Sequence, residues 1–318
     1  MTPMGRRILV TGGSGFVGRH FLRAANDTRI PSDDVLVIAS DSPRDWDPSL
    51  ANIRVIDVRN PAAVESVVAD FRPTHTLHLA GLASPTRAAA SPALAWAVNV
   101  GGAVNVTAAL AAHVPDSTLL AVSTGEVYRV GADREMPGGA NAYARSKAAA
   151  EAAVLDIAPP SMRVVILRPF NHTGPGQDEE YVVPAFAMQI ARIERGMMEP
   201  RMMVGDLTAR RDFLDVRDVV GAYWRLIGCS EQLPHRSLLD IRSGVSRSIR
   251  DVLESLKALA TCDFGVEIDP ERSRRNAHVS APVALRAHTA TPFHPEISWE
   301  QTLKAVLEDC RRRVALDS

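Results

Sequence analysis

Residues 8–22 read ILVTGGSGFVGRHFL, and this stretch decides the fold. An apolar, β-branched run ends in a cluster of glycines, and a run of helical character follows the cluster. The order predicts a buried strand, a tight turn and a helix. Gly13, Gly15 and Gly18 have the G-x-G-x-x-G spacing, and Gly12, Gly15 and Gly18 fit G-x-x-G-x-x-G equally well.

Glycines in these places predict a binding site for a dinucleotide. Because they have no side chains, Gly12, Gly15 and Gly18 let the backbone approach a pyrophosphate, whose charge then lies on the free N–H groups at the start of the helix. A turn that only reversed the chain would need fewer glycines. The position directly after the first strand therefore favours a dinucleotide site.

The same alternation of strand and helix continues through the first half of the chain. Six short runs are apolar almost throughout, as buried strands of a parallel sheet are. They are RRILVTG (6–12), VLVIAS (35–40), IRVID (53–57), THTLHLAG (74–81), STLLAVST (117–124) and MRVVILRP (162–169). Alanine-rich helical stretches separate them, so we predict an α/β fold: a Rossmann-type, doubly wound parallel sheet with right-handed crossovers over residues 1–168.

After Pro169 the alternation becomes less regular. Short strands such as SLLDI (237–241) mix with helical stretches such as WEQTLKAVLEDCRRR (299–313). We expect residues 169–318 mostly to form a smaller C-terminal α/β lobe across the carboxyl edge of the sheet. Ligands of open α/β sheets bind at that edge.

Composition excludes several classes of function. The chain has 318 residues, 46% hydrophobic and 23% charged, with a formal net charge of −1, so no overall field attracts nucleic acid or an anionic membrane. Cys229, Cys262 and Cys310 are far apart, which predicts neither a disulfide framework nor a zinc site and fits a reducing cytoplasm. No segment approaches the roughly 20 apolar residues of a membrane span, and we expect no signal peptide.

Residues after the second and third strands predict further cofactor contacts. Asp41 lies where an acidic group would bind the ribose and favour NAD, but Arg44 nearby could favour NADP, so the cofactor is NADP or NAD. Asp57 is a candidate acceptor for the adenine amine. The loop after the fourth strand should pass the cofactor at Leu79, Ala80 and Gly81.

The catalytic chemistry is predicted by residues 140–151, which read ANAYARSKAAAE. Tyr143 and Lys147 are four apart on one helix, so the phenol and the ammonium can meet. The ordinary phenol pKa near 10 is too high for proton transfer at neutral pH. We expect the ammonium and a positive nicotinamide to lower it. The alternative is a surface lysine beside a half-buried tyrosine.

A third group belongs to the fifth strand, which reads LLAVSTGEVY over residues 119–128. Its carboxyl end presents Ser123, Thr124 and Glu126 beside the start of the Tyr143 helix. We expect Thr124 to hold a substrate oxygen while Tyr143 exchanges a proton and a nicotinamide moves a hydride. A strand-end threonine can also bind only its own backbone, but the combination of features favours catalysis.

Three stretches together, TGGSGFVG (11–18), STGEVY (123–128) and YARSK (143–147), resemble the extended short-chain dehydrogenase/reductase family, which modifies nucleotide sugars. The resemblance covers essentially the whole chain. It places the family's catalytic pattern on Thr124, Tyr143 and Lys147, with Glu126 beside them. It also implies cofactor contacts at Phe16, Val17, Val58, Tyr143, Lys147 and Arg168.

A finer resemblance lies in RPFNHTGPGQ (168–177), VVPAFAMQIARIERG (182–196) and VGDLTARRDFLDVRDVVGAYW (204–224), which look like the GDP-4-keto-6-deoxy-D-mannose reductases. It implies NAD(P)H-dependent reduction of the C4 ketone of a GDP-sugar. GDP-D-rhamnose is the first-choice product, and GDP-6-deoxytalose is the other. The implied substrate contacts are Asn171, Val183, Arg211 and Arg272.

Several alternatives stay open. Glu126 could instead remove the C5 proton in a GDP-mannose 4,6-dehydratase, and an epimerase of UDP-sugars would use the same catalytic groups. A non-catalytic nucleotide-sugar-binding protein could share the scaffold. Arg211 could pair with Asp212 or Asp215 rather than bind the diphosphate. Ala277 replaces an acidic residue that relatives often use for the nucleotide's ribose, which leaves the base open.

The remaining expectations concern metals and partners. His75 and His78 are three apart in a strand, so they point to opposite faces and predict no metal site. The helices at 92–113 and 140–157 resemble the pair that forms a four-helix dimer interface in this family. We therefore expect a cytoplasmic homodimer.

Overall fold

The computed structural model describes residues 5–28, 34–40, 52–129, 141–271 and 293–316. Within these ranges the chain divides into two compact units. The first unit contains the described residues up to Pro169 and those of 220–241, with Phe293. The second unit contains the rest, 170–219 and the described residues from 242 onward.

The strands of the two units are short. In chain order they are β1 Arg7–Thr11, β2 Asp34–Ala39, β3 Asn52–Val55, β4 His75–His78, β5 Thr118–Val122, β6 Arg163–Pro169, β7 Asn171–Thr173, β8 Arg201–Val204, β9 Arg210–Asp215, β10 Arg236–Ile241, β11 Ser246–Ser248 and β12 Gly265–Ile268.

Helices connect most of these strands. They are α1 Phe16–Thr28, α2 Pro61–Phe71, α3 Pro85–Ala90, α4 Pro92–Trp96, α5 Gly102–His113, α6 Ala142–Ile157, α7 Val182–Glu194, α8 Val216–Cys229, α9 Ile249–Lys257 and α10 Trp299–Leu316. A π-helical turn, Ala97–Gly101, joins α4 to α5, and 3-10 turns cover Gly125–Arg129 and Ser230–Gln232.

The first unit is built on one seven-stranded parallel sheet with the order β10-β6-β5-β4-β1-β2-β3. The six strands expected from the sequence are all present, and the doubly wound α/β fold is confirmed. The placement of 237–241 in the C-terminal lobe is wrong, because β10 pairs in parallel with β6, with Leu239 opposite Leu167. A short apolar strand carries no signal that says which sheet it joins.

The core of the first unit explains why these strands are apolar on both faces. Ile8, Leu9 and Val10 of β1 are fully buried, since helices cover both sides of the sheet. α2, α5 and α6 contribute to the core on one face. On α8, the ring of Trp224 stacks on Phe21 of α1, with ring centroids 4.4 Å apart.

One helical run, Pro92–His113, is long and apolar enough to cross a membrane by length and composition, contrary to the expectation from the sequence. Three of its side chains, Ala95, Val106 and Leu110, are fully buried within the first unit. Its apolar residues therefore serve the core of that unit, which is what a buried helix of an α/β sheet requires.

The second unit has its own core. A three-stranded sheet with the order β11-β9-β7 and a two-stranded sheet, β12-β8, accompany α7, α9 and α10. Buried side chains from these helices, among them Ile190, Leu253 and Leu303, form one apolar cluster. An ion pair between the buried Glu194 and the half-buried Arg311 lies at its edge, with two hydrogen bonds of 2.7 and 2.6 Å.

Candidate active site

The glycine turn after β1 is as tight as its sequence predicts. Gly12 has a φ of +75°, and a Cβ there would lie 2.7 Å from the Ala80 amide nitrogen. A Cβ on Gly18 would lie 2.4 Å from the Gly12 carbonyl oxygen, so α1 approaches the turn closely. Only glycine fits this cradle, which opens onto the free N–H groups of a helix. The residues present therefore fit a dinucleotide phosphate.

The loop after β4 lies against this turn. The Thr11 hydroxyl accepts a hydrogen bond from the Ala80 amide at 3.2 Å. Next along the loop, a Cβ on Gly81 would lie 3.2 Å from Nζ of Lys147 and 2.9 Å from Oδ1 of Asn99. The structure thus brings the predicted cofactor residues of the turn, the loop and helix α6 to one place.

Tyr143 occupies the first turn of α6. Asn141 caps this helix, its Oδ1 accepting a hydrogen bond from the Ala144 amide at 2.8 Å. The phenol is buried, and Thr124 lies just beyond the end of β5, where its side chain favours the phenolate and its Oγ1 accepts a hydrogen bond from the Glu126 amide at 3.2 Å. Burial raises the pKa of Tyr143 to about 12, against the lowering effect of Thr124, and the charge of Glu126 raises it further.

The expectation that the Tyr143 pKa is lowered is therefore wrong for the chain by itself. Desolvation disfavours the phenolate more than the hydrogen bond from Thr124 favours it. The phenol is neutral near pH 7 and can donate a proton. A neutral acid of this kind suits the reductive direction of a carbonyl reaction.

Lys147 lies one turn further along α6, and it is not the surface lysine of the alternative interpretation. It is 7% exposed, and its Nζ donates a hydrogen bond to the Val122 carbonyl at 2.7 Å. Burial lowers its pKa to about 8, and the charge of Glu151 acts in the opposite direction. His78 on β4 shares this environment. Burial, and then the charge of Lys147, lower the pKa of His78 to about 3.

Sequence reasoning missed Asn99, which lies in the π-helical turn. It is 2% exposed, its Oδ1 accepts from the Leu82 amide at 2.7 Å, and its Nδ2 donates to the Ser146 hydroxyl at 2.8 Å. It therefore ties the loop after β4 to α6 beside Lys147. The available signal was one amide in an otherwise apolar helix, which by itself does not predict a site.

Sequence reasoning also missed Glu151, one turn beyond Lys147. Its carboxylate accepts a hydrogen bond from the Ser123 hydroxyl and two from Arg168, at 2.9 and 2.5 Å. Arg168 was a predicted cofactor contact. Its guanidinium binds Glu151 and lies 4.7 Å from the centre of the Tyr128 ring.

Other predicted cofactor residues have local partners. Asp57 lies two residues after β3 and forms an ion pair with Arg59 at 2.5 Å, whose hydrogen bonds lower the Asp57 pKa. The Val58 carbonyl accepts from Asn105 at 2.9 Å. Phe16 begins α1, and Val17 follows it. The predicted residues that lie outside the described ranges are Asp41, Arg44, Arg272 and Ala277.

Three predicted substrate contacts belong to the second unit. Asn171 begins β7, the Val183 side chain is 1% exposed in the core of that unit, and Arg211 lies on β9. Asp212 accepts hydrogen bonds from Ser243 and Gly244, and Asp215 binds Arg217 at 2.7 Å.

Across the described ranges, no three His, Cys, Asp or Glu side chains are grouped as a metal site would group them. His75 and His78 illustrate the reason. His75 contacts Ser230 at 3.1 Å and His78 contacts Thr11 at 2.7 Å, on different sides of the sheet.

Comparison with known proteins is consistent with this geometry. The sequence model of the NAD dependent epimerase/dehydratase family matches residues 8–239 of this chain. A GDP-6-deoxy-D-mannose reductase from Pseudomonas aeruginosa is 34% identical, over 98% of this chain and 99% of the relative. A GDP-6-deoxy-D-talose 4-dehydrogenase from Aggregatibacter actinomycetemcomitans is 25% identical over 79% of each chain.

A solved structure is similar over the same extent. The structure of RMD from Pseudomonas aeruginosa complexed with NADPH has a TM-score of 0.76 and 31% identity, over 97% of this chain and 100% of that one.

Proposed function

Because the chain belongs to the NAD dependent epimerase/dehydratase family, we propose that it reduces the C4 ketone of GDP-4-keto-6-deoxy-D-mannose with NADPH or NADH. GDP-D-rhamnose is the first-choice product. The observation that carries this proposal is 34% identity to a GDP-6-deoxy-D-mannose reductase over 98% of the chain. The arrangement of Thr124, Tyr143 and Lys147 supports it.

The proposed chemistry follows from the protonation states of these groups. When bound, the nicotinamide supplies the hydride that C4 receives. Thr124 holds the ketone oxygen by a hydrogen bond, and Tyr143, whose pKa is about 12, donates its proton to that oxygen as the alcohol forms. One hydride and one proton convert the ketone to the alcohol and leave a phenolate.

Lys147 stabilises that phenolate. With a pKa of about 8 it is mostly protonated at neutral pH, and its ammonium lies one helical turn from the phenol. It also binds the ribose next to the nicotinamide. The position of its Nζ, 3.2 Å from where a Cβ on Gly81 would lie, supports this, since the preceding residue of that loop, Ala80, packs against Gly12 of the glycine turn.

The remaining contacts of the proposal come from the sequence. The cofactor binds along Gly12, Gly15, Gly18, Asp57 and the loop after β4, and the region of Asp41 and Arg44 sets the choice between NAD and NADP. Asn171 contacts the substrate near its sugar and phosphates. Arg211 and Arg272 bind the diphosphate of the substrate. Val183 is a further substrate contact of the proposal.

A direct assay tests the proposal. Purified protein is mixed with GDP-4-keto-6-deoxy-D-mannose and either NADPH or NADH, and oxidation of the cofactor is followed by its absorbance. We expect one equivalent of GDP-6-deoxyhexose per cofactor oxidised, with the C4 configuration assigned by NMR. Absence of oxidation with both cofactors would contradict the proposal.

A second candidate, a 4,6-dehydratase, is favoured by the position of Glu126, whose charge is close enough to the phenol to raise the Tyr143 pKa. Glu126 would remove the C5 proton, and the hydride would return to the sugar within one turnover. Incubation with GDP-mannose alone separates the two. A 4-keto product without net oxidation or reduction of the cofactor favours the dehydratase, whereas unchanged GDP-mannose favours the reductase.

The proposal extends to a homodimer in the cytoplasm. α4 and α6 pack together in the first unit, and each exposes an apolar side chain: Trp96 is 44% and Leu155 41% exposed. A second copy would cover them. The free thiols Cys229, Cys262 and Cys310 suit a reducing compartment. Sedimentation of the wild type and of W96E/L155E tests the dimer, and a monomeric wild type would contradict it.

A further inference from the structure

Two charged side chains of α6 are held by consecutive residues at the end of β5. Lys147 donates to the Val122 carbonyl at 2.7 Å, and Glu151, one turn later, accepts from the Ser123 hydroxyl. Residues four apart lie on one helical face, so the ammonium and the carboxylate face the same side of the helix.

Glu151 is fixed more firmly than one hydrogen bond requires. Arg168 on β6 binds both carboxylate oxygens, and the Glu151 side chain is only 11% exposed. The guanidinium in turn lies on the Tyr128 ring, whose hydroxyl donates to Asp240 of β10 at 2.7 Å. Glu151 is thus the inner end of a chain of contacts that crosses β5, β6 and β10.

Lys147 and Glu151 also line one small cavity of about 20 Å³. His78 of β4 and Asn99 of the π-helical turn face it as well, and its remaining lining is mostly aliphatic. Glu151 is the acidic side chain of this lining. His78, whose pKa is about 3, contributes no positive charge at neutral pH, and Tyr143 on the same helix is neutral. Because Lys147 and Glu151 are both largely shielded from solvent, their charges interact more strongly than they would at the surface.

We propose that Glu151, clamped by Ser123 and Arg168, is a positioning residue that holds the Lys147 ammonium charged and directed at the end of β5. The inference rests on the proposed role of Lys147 in the reductase. It goes beyond that role by assigning a function to a residue that touches neither the phenol nor the nicotinamide.

The chain has so few lysines that the titration of the Lys147 amine can be observed by itself. The sequence contains only three lysines, Lys147, Lys257 and Lys304. In K257R/K304R protein made with lysine labelled with ¹³C at Cε, the single side-chain signal reports Lys147. We expect it to titrate near pH 8. In E151Q on the same background we expect the midpoint to fall by about one pH unit.

E194Q is the matched control. Glu194 also accepts two hydrogen bonds from an arginine, at 2.7 and 2.6 Å, and its side chain is 9% exposed, but it lies in the second unit, at the edge of that unit's apolar cluster. We expect E194Q to leave the Lys147 midpoint in place. Comparison of E151Q with E194Q therefore distinguishes a general loss of stability, which both variants share, from a specific effect on the Lys147 pKa.

Kinetics supply the second readout. E151Q should lower kcat about tenfold with KM for the sugar nucleotide within about twofold, because the amine is misplaced while the substrate site is intact. The alkaline limb of its kcat profile should move to lower pH, and E151D should recover part of kcat. E194Q should match the wild type in each measurement.

The two proposals fail separately. A Lys147 midpoint in E151Q equal to that of the wild type overturns the inference, whatever the activity, and so does a shifted midpoint with unchanged kcat in an active enzyme. Wild-type protein that reduces no GDP-4-keto sugar overturns the proposed function instead, and the titration still decides the placement of Lys147.

If E151Q does not fold, the Lys147 pKa can be measured in a second variant. E151Q/R168Q removes both partners and leaves no unpaired guanidinium. We expect its Lys147 midpoint still to fall, by less than in E151Q because a distant positive charge is lost too. An unmoved midpoint overturns the inference.

Discussion

The first and second units each bury a glutamate held by two bonds from an arginine, yet their surroundings differ. Glu194 and Arg311 border an apolar cluster, and their remaining contacts are backbone groups, such as the Leu259 carbonyl at 3.0 Å from Arg311. Glu151 and Arg168 instead adjoin Lys147, whose pKa burial lowers to about 8. The same ion pair can thus serve packing in one place and hold a titratable amine in another.

The comparison shows which buried residues of the first unit are not explained by the stability of the fold. Lys147 and Tyr143 are buried in forms that cost solvation free energy, and an apolar side chain of similar size would pack there more favourably. Such groups are expected where chemistry needs a perturbed pKa. The core of the second unit, built around residues such as Leu253, shows what packing without this demand looks like.

The largest effect is expected at the phenol. Y143F should lower kcat about 10³-fold, because the proton donor is lost while the ring still fills its place. The binding affinity for NADPH and the melting temperature should stay near the wild-type values. Steady-state kinetics and calorimetry check this. Turnover within a factor of ten of the wild type would remove Tyr143 from the mechanism.

The next effect is expected in the second core and concerns stability rather than catalysis. L253A should lower the free energy of unfolding by about 3 kcal/mol, since Leu253 is 1% exposed and its truncation leaves a cavity. Below the melting temperature, kcat should stay within about twofold of the wild type. Denaturant unfolding measures the change in the free energy of unfolding. A large fall in kcat would contradict the view that the second core serves packing and not catalysis.

Replacement of the buried lysine should separate activity from stability. K147M should lower kcat about 100-fold, yet raise the free energy of unfolding at pH 7 by about 1–2 kcal/mol, because a buried charge is removed. In the folded wild type the Lys147 pKa of about 8 lies below the ordinary lysine value of 10.5. Between pH 8 and pH 10.5 the unfolded chain therefore binds one more proton than the folded chain.

That difference gives the sign of the pH dependence. The contribution of Lys147 to wild-type stability rises from about pH 8 toward pH 10.5, and K147M should lack this rise. The difference between the two curves isolates Lys147, since shared groups cancel. Parallel curves over this range would contradict the buried, titrating amine.

The smallest effect is expected at a second buried phenol. Tyr223 is fully buried in the first unit, and within the described ranges its hydroxyl has no hydrogen-bond partner. Y223F should therefore change kcat less than twofold and raise the free energy of unfolding by up to about 1 kcal/mol. A loss of turnover comparable to that of Y143F would show that burial alone does not distinguish the two tyrosines.

Much of the fold could be predicted from sequence, because its signals are local. The glycine turn after β1 and the apolar runs of six strands predicted the parallel sheet, and the motifs predicted a family that the comparisons confirm. The seventh strand was recognised as a strand but assigned to the wrong lobe, for the same reason. Arg236–Ile241 reads like any short strand, and its pairing with β6 depends on contacts over some 70 residues of chain.

The candidate site could be predicted only in part. Tyr143, Thr124 and Gly81 were expected near one another, and the structure places each at the carboxyl ends of β4 and β5 or beside them. For the chain by itself the direction of the Tyr143 pKa was wrong, because spacing along a helix shows which charges are near but not how completely water is excluded.

By itself, the sequence determined the glycine cradle, the strand-and-helix order and the helical spacing of Tyr143 and Lys147, since each depends on neighbours within a few turns of chain. Only the tertiary structure decided that Asn99 adjoins Lys147, that Glu151 binds Ser123 and Arg168, and that the phenol is desolvated. Burial and long-range hydrogen bonds depend on which distant segments pack together. That packing is a property of the whole fold and not of any local pattern.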